Sequence, residues 1–139
     1  MKTKVLFLTV AFSTTMSFIC SYFMDLYMGN MEQYLALVAV LFIDGFFGIA
    51  AGVKREGFET RKALRVLQRA ITWIVLLTVI LMVEKGFEGT SWLSETIVVP
   101  FIVLQLVSAL KNASMAGFIK NGELNRILDY IDNHKGKRE

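Results

Sequence analysis

The chain has 139 residues, of which 55% are hydrophobic and 19% are charged, and its formal net charge is +3. This composition excludes an ordinary soluble domain and predicts a small integral membrane protein. The cations lie in short segments beside apolar runs, which indicates membrane topology and contact with lipid rather than binding of nucleic acid. The single cysteine, Cys20, excludes an intramolecular disulfide.

The first apolar run follows Lys2 and Lys4 and covers residues 5–24. Its length of about 20 residues is enough to cross a bilayer, and no small-residue cleavage site follows it, so it predicts a retained transmembrane helix. A hydroxyl stripe recurs at every fourth position of this run: Thr9, Ser13, Ser17 and Ser21. The stripe has two open interpretations: it bonds to its own backbone or packs on another helix, or it lines a pore once several copies assemble.

The second apolar run covers residues 34–53, after an acidic turn predicted at residues 25–33 on the outer side. One ionisable residue, Asp44, lies near its middle. A carboxylate at that depth costs roughly 2.5–3.5 kcal/mol, so Asp44 should face a packed partner or a wet cavity rather than lipid. Helix-packing glycines lie on or beside the same helical face, where another helix can approach closely: Gly45, Gly48 and Gly52.

A group of six cations follows this run, and we predict that it stays in the cytoplasm and contacts lipid headgroups. The six are Lys54, Arg55, Arg61, Lys62, Arg65 and Arg69. Gly57 should break the chain and Thr60 should cap a new helix, whose basic start is expected to lie partly in the inner interface before it turns into the bilayer. The apolar stretch at residues 70–83 is short for a span unless the basic helix continues straight into it, so the third span is predicted at residues 66–83.

An acidic outer loop is predicted at residues 84–95, and the fourth span at residues 93–110. This span contains Pro100 and carries polar side chains toward its end: Gln105 and Ser108, with Asn112 just beyond it. Apolar residues at helical spacing predict an amphipathic helix at residues 123–132. The tail after it is predicted to be disordered, and His134 in that tail has no second metal ligand at suitable spacing.

The predicted fold class is therefore all-α: an integral membrane protein with four transmembrane helices plus an amphipathic C-terminal cytoplasmic helix. Residues 1–117 form the membrane domain, and residues 118–139 form the amphipathic helix and polar tail. With both termini in the cytoplasm, fourteen of the fifteen Lys and Arg residues lie inside and only Lys85 lies outside. A topology with three spans would place the basic segment outside or discard a helix of adequate length.

The chain carries no pattern typical of an enzyme: no phosphate-binding loop, no metal-ligand spacing and no nucleophile beside a base. We therefore expect no catalytic residue, no cofactor and no metal site. A single acid within the membrane also argues against a secondary transporter. The remaining functions are self-assembly in the membrane, or a role as the membrane subunit of a larger complex.

Short motifs in this chain resemble the phage lysis and toxin-secretion holins. The family has a run of an aspartate and a glycine in a transmembrane helix, followed by an alanine, a lysine and a glycine in a basic loop. Five residues of this chain resemble that run in order: Asp44, Gly48, Ala51, Lys54 and Gly57. Arg69 resembles the basic residue that opens the next span. Ser108, Asn112 and Gly117 match the family pattern that closes the last span. Gln105 and Lys111 stand where acids are usual, and the prolines usual after the glycine are absent. The resemblance covers residues 35–117.

The resemblance implies a homo-oligomer in the bacterial inner membrane that permeabilises it, so that a peptidoglycan hydrolase, a toxin or a phage-like particle can leave the cell. Its partners would be membrane lipids and further copies of itself. Single copies would hide Asp44 and the hydroxyl stripe against each other or against Gln105 and Thr78, and assembled copies would line a lesion with them. The alternative is a non-pore membrane scaffold that docks a cytoplasmic or secretion-apparatus partner. For Asp44, a purely structural hydrogen bond across the glycines and a charge-dependent role in the lesion both stay open.

Overall fold

A computed structural model describes residues 2–57 and 60–136. Its helices are α1 (Lys2–Gly29), α2 (Met31–Glu56), α3 (Thr60–Gly86), α4 (Leu93–Ala116) and α5 (Asn121–Lys135). Helices α1 to α4 are long and apolar enough to cross a membrane, and the described residues contain no strand. The prediction of four spanning helices and a C-terminal helix is confirmed.

Contacts divide the chain into two compact units, Met1–Tyr34 and Leu35–Glu139. In the first unit, α1 presents apolar side chains such as Phe7 and Phe18 with about three quarters of their surface exposed. Such exposure suits a helix whose surroundings are lipid or other apolar helices rather than water. The division between a membrane domain and a cytoplasmic part after residue 117 stays a prediction.

The turn predicted at residues 25–33 is wrong in length, because only Asn30 separates α1 from α2. The Asn30 side chain donates to the carbonyl of Leu26 at 3.0 Å, and its own carbonyl accepts from the backbone N–H of Gln33 at 3.1 Å. Asn30 thus makes hydrogen bonds to the last turn of α1 and to the first turn of α2. Both helices therefore extend through polar residues that hydropathy alone would leave outside them.

The third helix begins at Thr60 and runs to Gly86 without interruption. The expected turn into the bilayer is therefore wrong, and the alternative, a basic helix that continues straight into the third span, is what the structure shows. The physical reason is that residues 61–85 contain no glycine or proline. At about 1.5 Å per residue, α3 is ~40 Å long, longer than the ~30 Å of a hydrocarbon core. Gly57, with a φ of 88°, ends the preceding helix as expected.

The loop between α3 and α4 is shorter than predicted, because α3 includes Glu84 and α4 starts at Leu93. The Glu84 carboxylate accepts from the backbone N–H of Ser94 at 2.6 Å, and the Thr90 hydroxyl donates to the carbonyl of Phe87 at 2.7 Å. Glu84 thereby satisfies one of the free N–H groups at the start of α4.

Three helices of the second unit pack through apolar and aromatic side chains. Trp73 of α3 stacks on Phe101 of α4 with ring centroids 3.4 Å apart, and Leu37 of α2 and Leu77 of α3 are fully buried. The α5 helix reaches Lys135 and includes His134, so the prediction of a disordered tail at His134 is wrong. Residues 137–139 of the predicted tail lie outside the described residues.

Candidate functional site

One carboxylate, that of Asp44, joins the three membrane helices of the second unit. One of its oxygens, Oδ2, lies 3.5 Å from Nη1 of Arg69 on α3, and the other, Oδ1, accepts from Nδ2 of Asn112 on α4 at 3.2 Å. The Asp44 side chain is 8% exposed, whereas that of Arg69 is 51% exposed. The half-exposed guanidinium therefore leaves the ion pair open on the side of Arg69.

These partners differ from those expected. Thr78 donates its hydroxyl to the carbonyl of Ile74 on its own helix, at 2.8 Å. Gln105 has a buried Oε1 without a hydrogen-bond partner among the described residues. The bonds found at Asp44 come from Arg69, expected at the lipid headgroups, and from Asn112, expected only as a polar residue near the end of a span.

The glycines of α2 lie where α3 and α4 approach. A Cβ added at Gly45 would collide with Cγ1 of Val66 on α3, and one added at Gly48 would lie 3.4 Å from Nδ2 of Asn112 on α4. At Gly52 the nearest atom to such a Cβ would be Nζ of Lys62, at 3.7 Å. Gly45 therefore allows close packing with α3, and Gly48 leaves room for the amide that donates to Asp44.

A polar cleft of about 290 Å³ opens beside Asp44. Its polar lining comes from all three helices and comprises Asp44, Lys62, Arg65, Arg69, Ser108 and Asn112. The cations on its wall are half of the group predicted to contact headgroups. Gln105, Ser108 and Asn112 follow helical spacing along α4, so Gln105 lies on the side of α4 that carries the cleft residues.

The remaining cations of the group lie near the same end of the three helices. Lys54 donates from Nζ to the carbonyl of Ala116 at 3.5 Å, which serves the end of α4. Arg55 and Lys62 line a smaller cleft with Gly52. Arg61 is exposed on the first turn of α3.

The hydroxyl stripe of α1 is partly bonded to its own backbone. Thr9 donates to the carbonyl of Val5 at 2.8 Å, and Ser13 donates to the carbonyl of Thr9 at 2.9 Å. Such bonds satisfy a hydroxyl inside one helix, so these two positions can lie against lipid or a neighbouring helix. Ser17 and Ser21 are exposed on the same helix. A pore-lining role for the stripe stays a prediction.

The site brings together residues that sequence reasoning singled out separately. Asp44 was expected to need a partner, but neither Arg69 nor Asn112 was assigned to it. The sequence contains one indication of the pairing between Asp44 and Arg69: Arg69 is the last cation before the apolar stretch of α3. Among the described residues, no group of three or more His, Cys, Asp or Glu side chains could hold a metal ion.

Comparison with known proteins gives one informative match. A family model described as the bacteriophage holin family matches residues 21–133. No curated protein and no solved structure matches the chain. The match covers well over half of the chain and includes the Asp44 site. The family is one of non-enzymatic membrane proteins, and the match together with the four apolar helices supports a multi-pass membrane protein. The resemblance seen in the sequence is confirmed: the chain belongs to the bacteriophage holin family.

Proposed function

We propose that copies of this protein assemble in the bacterial inner membrane and permeabilise it, so that a peptidoglycan hydrolase, a toxin or a phage-like particle can leave the cell. The observation that carries the proposal is the family match over residues 21–133, which spans three of the four apolar helices in full. The release of any particular cargo depends on this lesion and on a second protein.

The exposed surfaces of the chain support assembly. In each of the four apolar helices most of the hydrophobic segment is not buried within the chain, and in α1 none of it is buried. Four helices are also too few to enclose a wide aqueous channel, because a wide channel needs more lining helices than one small bundle supplies. Copies packed side by side would cover the apolar faces and supply the additional helices that line the channel.

The polar cleft supports a lesion lined by charge. In one copy, Asp44 is covered by Arg69 and Asn112, so the carboxylate does not face lipid. If assembly separated α2 from α3 or α4, these polar groups would become available to line water. The cost of exposing them to hydrocarbon would then favour a hydrated lesion over a dry interface.

Expression of the protein alone tests the proposal. The full chain would be induced in a bacterium that carries no other phage gene, while membrane potential and entry of a DNA-binding dye are recorded. We expect abrupt depolarisation followed by dye entry once the protein has accumulated. An unrelated four-helix inner-membrane protein at equal abundance provides the control for crowding of the membrane. Normal growth and an unchanged potential at high abundance would refute the proposal and favour the scaffold alternative.

The release step has its own test. A peptidoglycan hydrolase lacking an export signal would be produced with and without the protein. We expect lysis of the culture only when both are present, because the hydrolase reaches its substrate only through the lesion. Depolarisation without lysis in the double strain would show that the lesion is too narrow for a folded enzyme, and the proposed release of such cargo would then be wrong.

A further inference from the structure

The cleft beside Asp44 carries more positive than negative charge. Lys62, Arg65 and Arg69 line it, spaced so that they follow one side of the first three turns of α3. Asp44 is the only acid among the described residues that line it. One carboxylate cannot balance the two guanidinium groups of Arg65 and Arg69, so the cleft suits an anionic ligand.

A second cleft extends this positive region. It has a volume of about 170 Å³, shares Gly48, Lys62 and Asn112 with the first, and adds Arg55 from the last turns of α2. No acid is found among the described residues that line this second cleft. The Asn112 amide and the guanidinium groups are hydrogen-bond donors that suit phosphate oxygens.

The cleft extends along α3 from Arg69, beside Asp44, to Lys62 in the first turn. Directly after Arg69, α3 continues as an apolar stretch over residues 70–83. Arg69 is therefore the last cation before the apolar stretch, and Arg65, four residues earlier, lies about 6 Å closer to the basic start of α3 along the helix axis. Because long arginine side chains near a helix end can extend toward the membrane interface, a ligand held by Arg65 and Arg69 would have its phosphate on the side of Asp44 that faces the headgroups.

An apolar groove adjoins the polar cleft and favours a lipid over a free phosphate. The groove runs between α2 and α3, has a volume of about 410 Å³, and shares Gly45, Ile49 and Val66 with the cleft. Its other lining residues are apolar, among them Phe42 and Ile71. A molecule with a phosphate and an acyl chain would satisfy the two neighbouring surfaces together.

We propose that this cleft is a binding site for the phosphate of an anionic phospholipid. Arg65 and Arg69 contact the phosphate, and an acyl chain of the same lipid lies against the apolar groove. Asp44 competes with the phosphate for Arg69, because its Oδ2 lies 3.5 Å from Nη1 of that residue. The lipid site requires only the membrane location of the chain and does not depend on lesion formation.

Lipid binding by the purified chain tests the proposal. The full chain in neutral detergent would be titrated separately with phosphatidylglycerol, phosphatidylcholine and inorganic phosphate, and the lipid-bound fraction would be measured by native mass spectrometry. We expect phosphatidylglycerol to bind at least about fivefold more tightly than phosphatidylcholine, corresponding to ~1 kcal/mol for a basic residue at the membrane surface. Equal affinities for the two lipids would overturn the site.

Two variants should move the affinity in opposite directions. Arg65→Gln should weaken binding of phosphatidylglycerol about fivefold and leave phosphatidylcholine unchanged. Asp44→Asn should strengthen binding of phosphatidylglycerol, because Arg69 no longer shares its charge with a carboxylate. Weaker binding by a folded Asp44→Asn variant would contradict the proposed competition and overturn the assignment of Arg69 as a phosphate contact.

The matched control is Arg61→Gln, which removes the same charge from the same helix at an exposed position that does not line the cleft. Its affinity for phosphatidylglycerol should stay within about twofold of that of the unchanged chain, because exposed charges away from the ligand are screened. An effect as large as that of Arg65→Gln would show diffuse surface charge instead of a site. Full displacement of the lipid by millimolar inorganic phosphate would identify a free-phosphate site and overturn the lipid assignment.

Discussion

Asp44 shows how one acid can be kept inside an apolar bundle. Its two oxygens have separate partners, Arg69 on α3 and Asn112 on α4, so the carboxylate connects three helices and is largely shielded from the surroundings. The two partners contribute differently. Asn112 is itself partly buried, whereas the half-exposed Arg69 is long enough to turn toward the membrane interface and so loses less when the ion pair breaks.

The first prediction concerns substitutions of Asp44. Asp44→Ala should lower the free energy of unfolding by about 1–3 kcal/mol, because the Asn112 amide loses its acceptor. Asp44→Asn should cost less, since the new amide oxygen can still accept from Asn112. Arg69→Gln should cost under about 1 kcal/mol. Unfolding of the purified variants in detergent, followed by circular dichroism, measures all three changes.

A double-variant cycle separates the ion pair from the amide bond. Combining Asp44→Asn with Arg69→Gln should show a coupling of about 0.2–1 kcal/mol, as expected for a partly solvated pair. Arg65→Gln, which removes a cation from the same cleft, serves as the control and should show no coupling with Asp44→Asn. If Asp44→Asn proved as costly as Asp44→Ala, the carboxylate charge would matter more than the geometry indicates.

The second prediction concerns the close contact between Gly45 and Val66. Gly45→Ala should destabilise the protein by about 1–3 kcal/mol despite the higher helix propensity of alanine, because the β-branched Val66 cannot rotate away from a new Cβ. Val66→Ala in the same chain should restore part of the loss.

Gly86→Ala is the matched control, since nothing lies within 4 Å of an added Cβ there. Thermal unfolding in detergent measures the differences, and equal melting temperatures for Gly45→Ala and Gly86→Ala would contradict the close approach.

The need of Asp44 for a partner could be predicted from the sequence, but the identity of that partner could not. A carboxylate within an apolar run is costly unless it is paired, and this follows from composition alone. The partners lie 25 and 68 residues away along the chain, on two other helices. Their choice depends on helix rotation and depth, which hydropathy does not encode. Charge and position at the start of the third span accordingly place Arg69 among the headgroup contacts.

At the scale of elements, apolar runs predicted the number and order of the membrane helices but not where they end. Helix ends are set by backbone hydrogen bonds at a few residues rather than by hydropathy. Gly117, with a φ of 91°, ends α4 six residues beyond the predicted span. Its N–H donates to the carbonyl of Ser114, and the N–H of Phe118 donates to that of Ala113, which is a Schellman motif. The sequence contained this glycine, but hydropathy gave it no weight.

The third prediction tests this helix end. Gly117→Ala should cost roughly 1–2 kcal/mol, because a side chain at positive φ is strained, and the new Cβ would also lie 3.2 Å from Nζ of Lys54. Gly122→Ala, at the start of α5, meets nothing within 4 Å and has no positive φ, so it should leave stability nearly unchanged. Urea unfolding in detergent would compare the two variants. A loss at Gly122 equal to that at Gly117 would argue against the left-handed cap.

At the scale of the whole molecule, the family match begins at residue 21, within α1. The first part of α1 therefore lies outside the matched region, and so do three of the four residues of its hydroxyl stripe, Thr9, Ser13 and Ser17. Composition could predict that this helix spans a membrane. Whether its stripe faces lipid, another helix or water depends on contacts between copies, which a single chain does not contain.

The last prediction concerns orientation in the membrane. The positive-inside rule places Lys4 and Arg61 in the cytoplasm and Glu88 outside, because all but one of the lysines and arginines then lie on one side. In a Cys20→Ser chain, single cysteines would replace each of these residues in turn and be exposed to a membrane-impermeant maleimide on spheroplasts, before any depolarisation. We expect Glu88→Cys to react at once, and Lys4→Cys and Arg61→Cys to react only after permeabilisation. Lys4→Cys and Arg61→Cys on opposite faces would require an odd number of spans between them, so either α1 or α2 would not cross the bilayer.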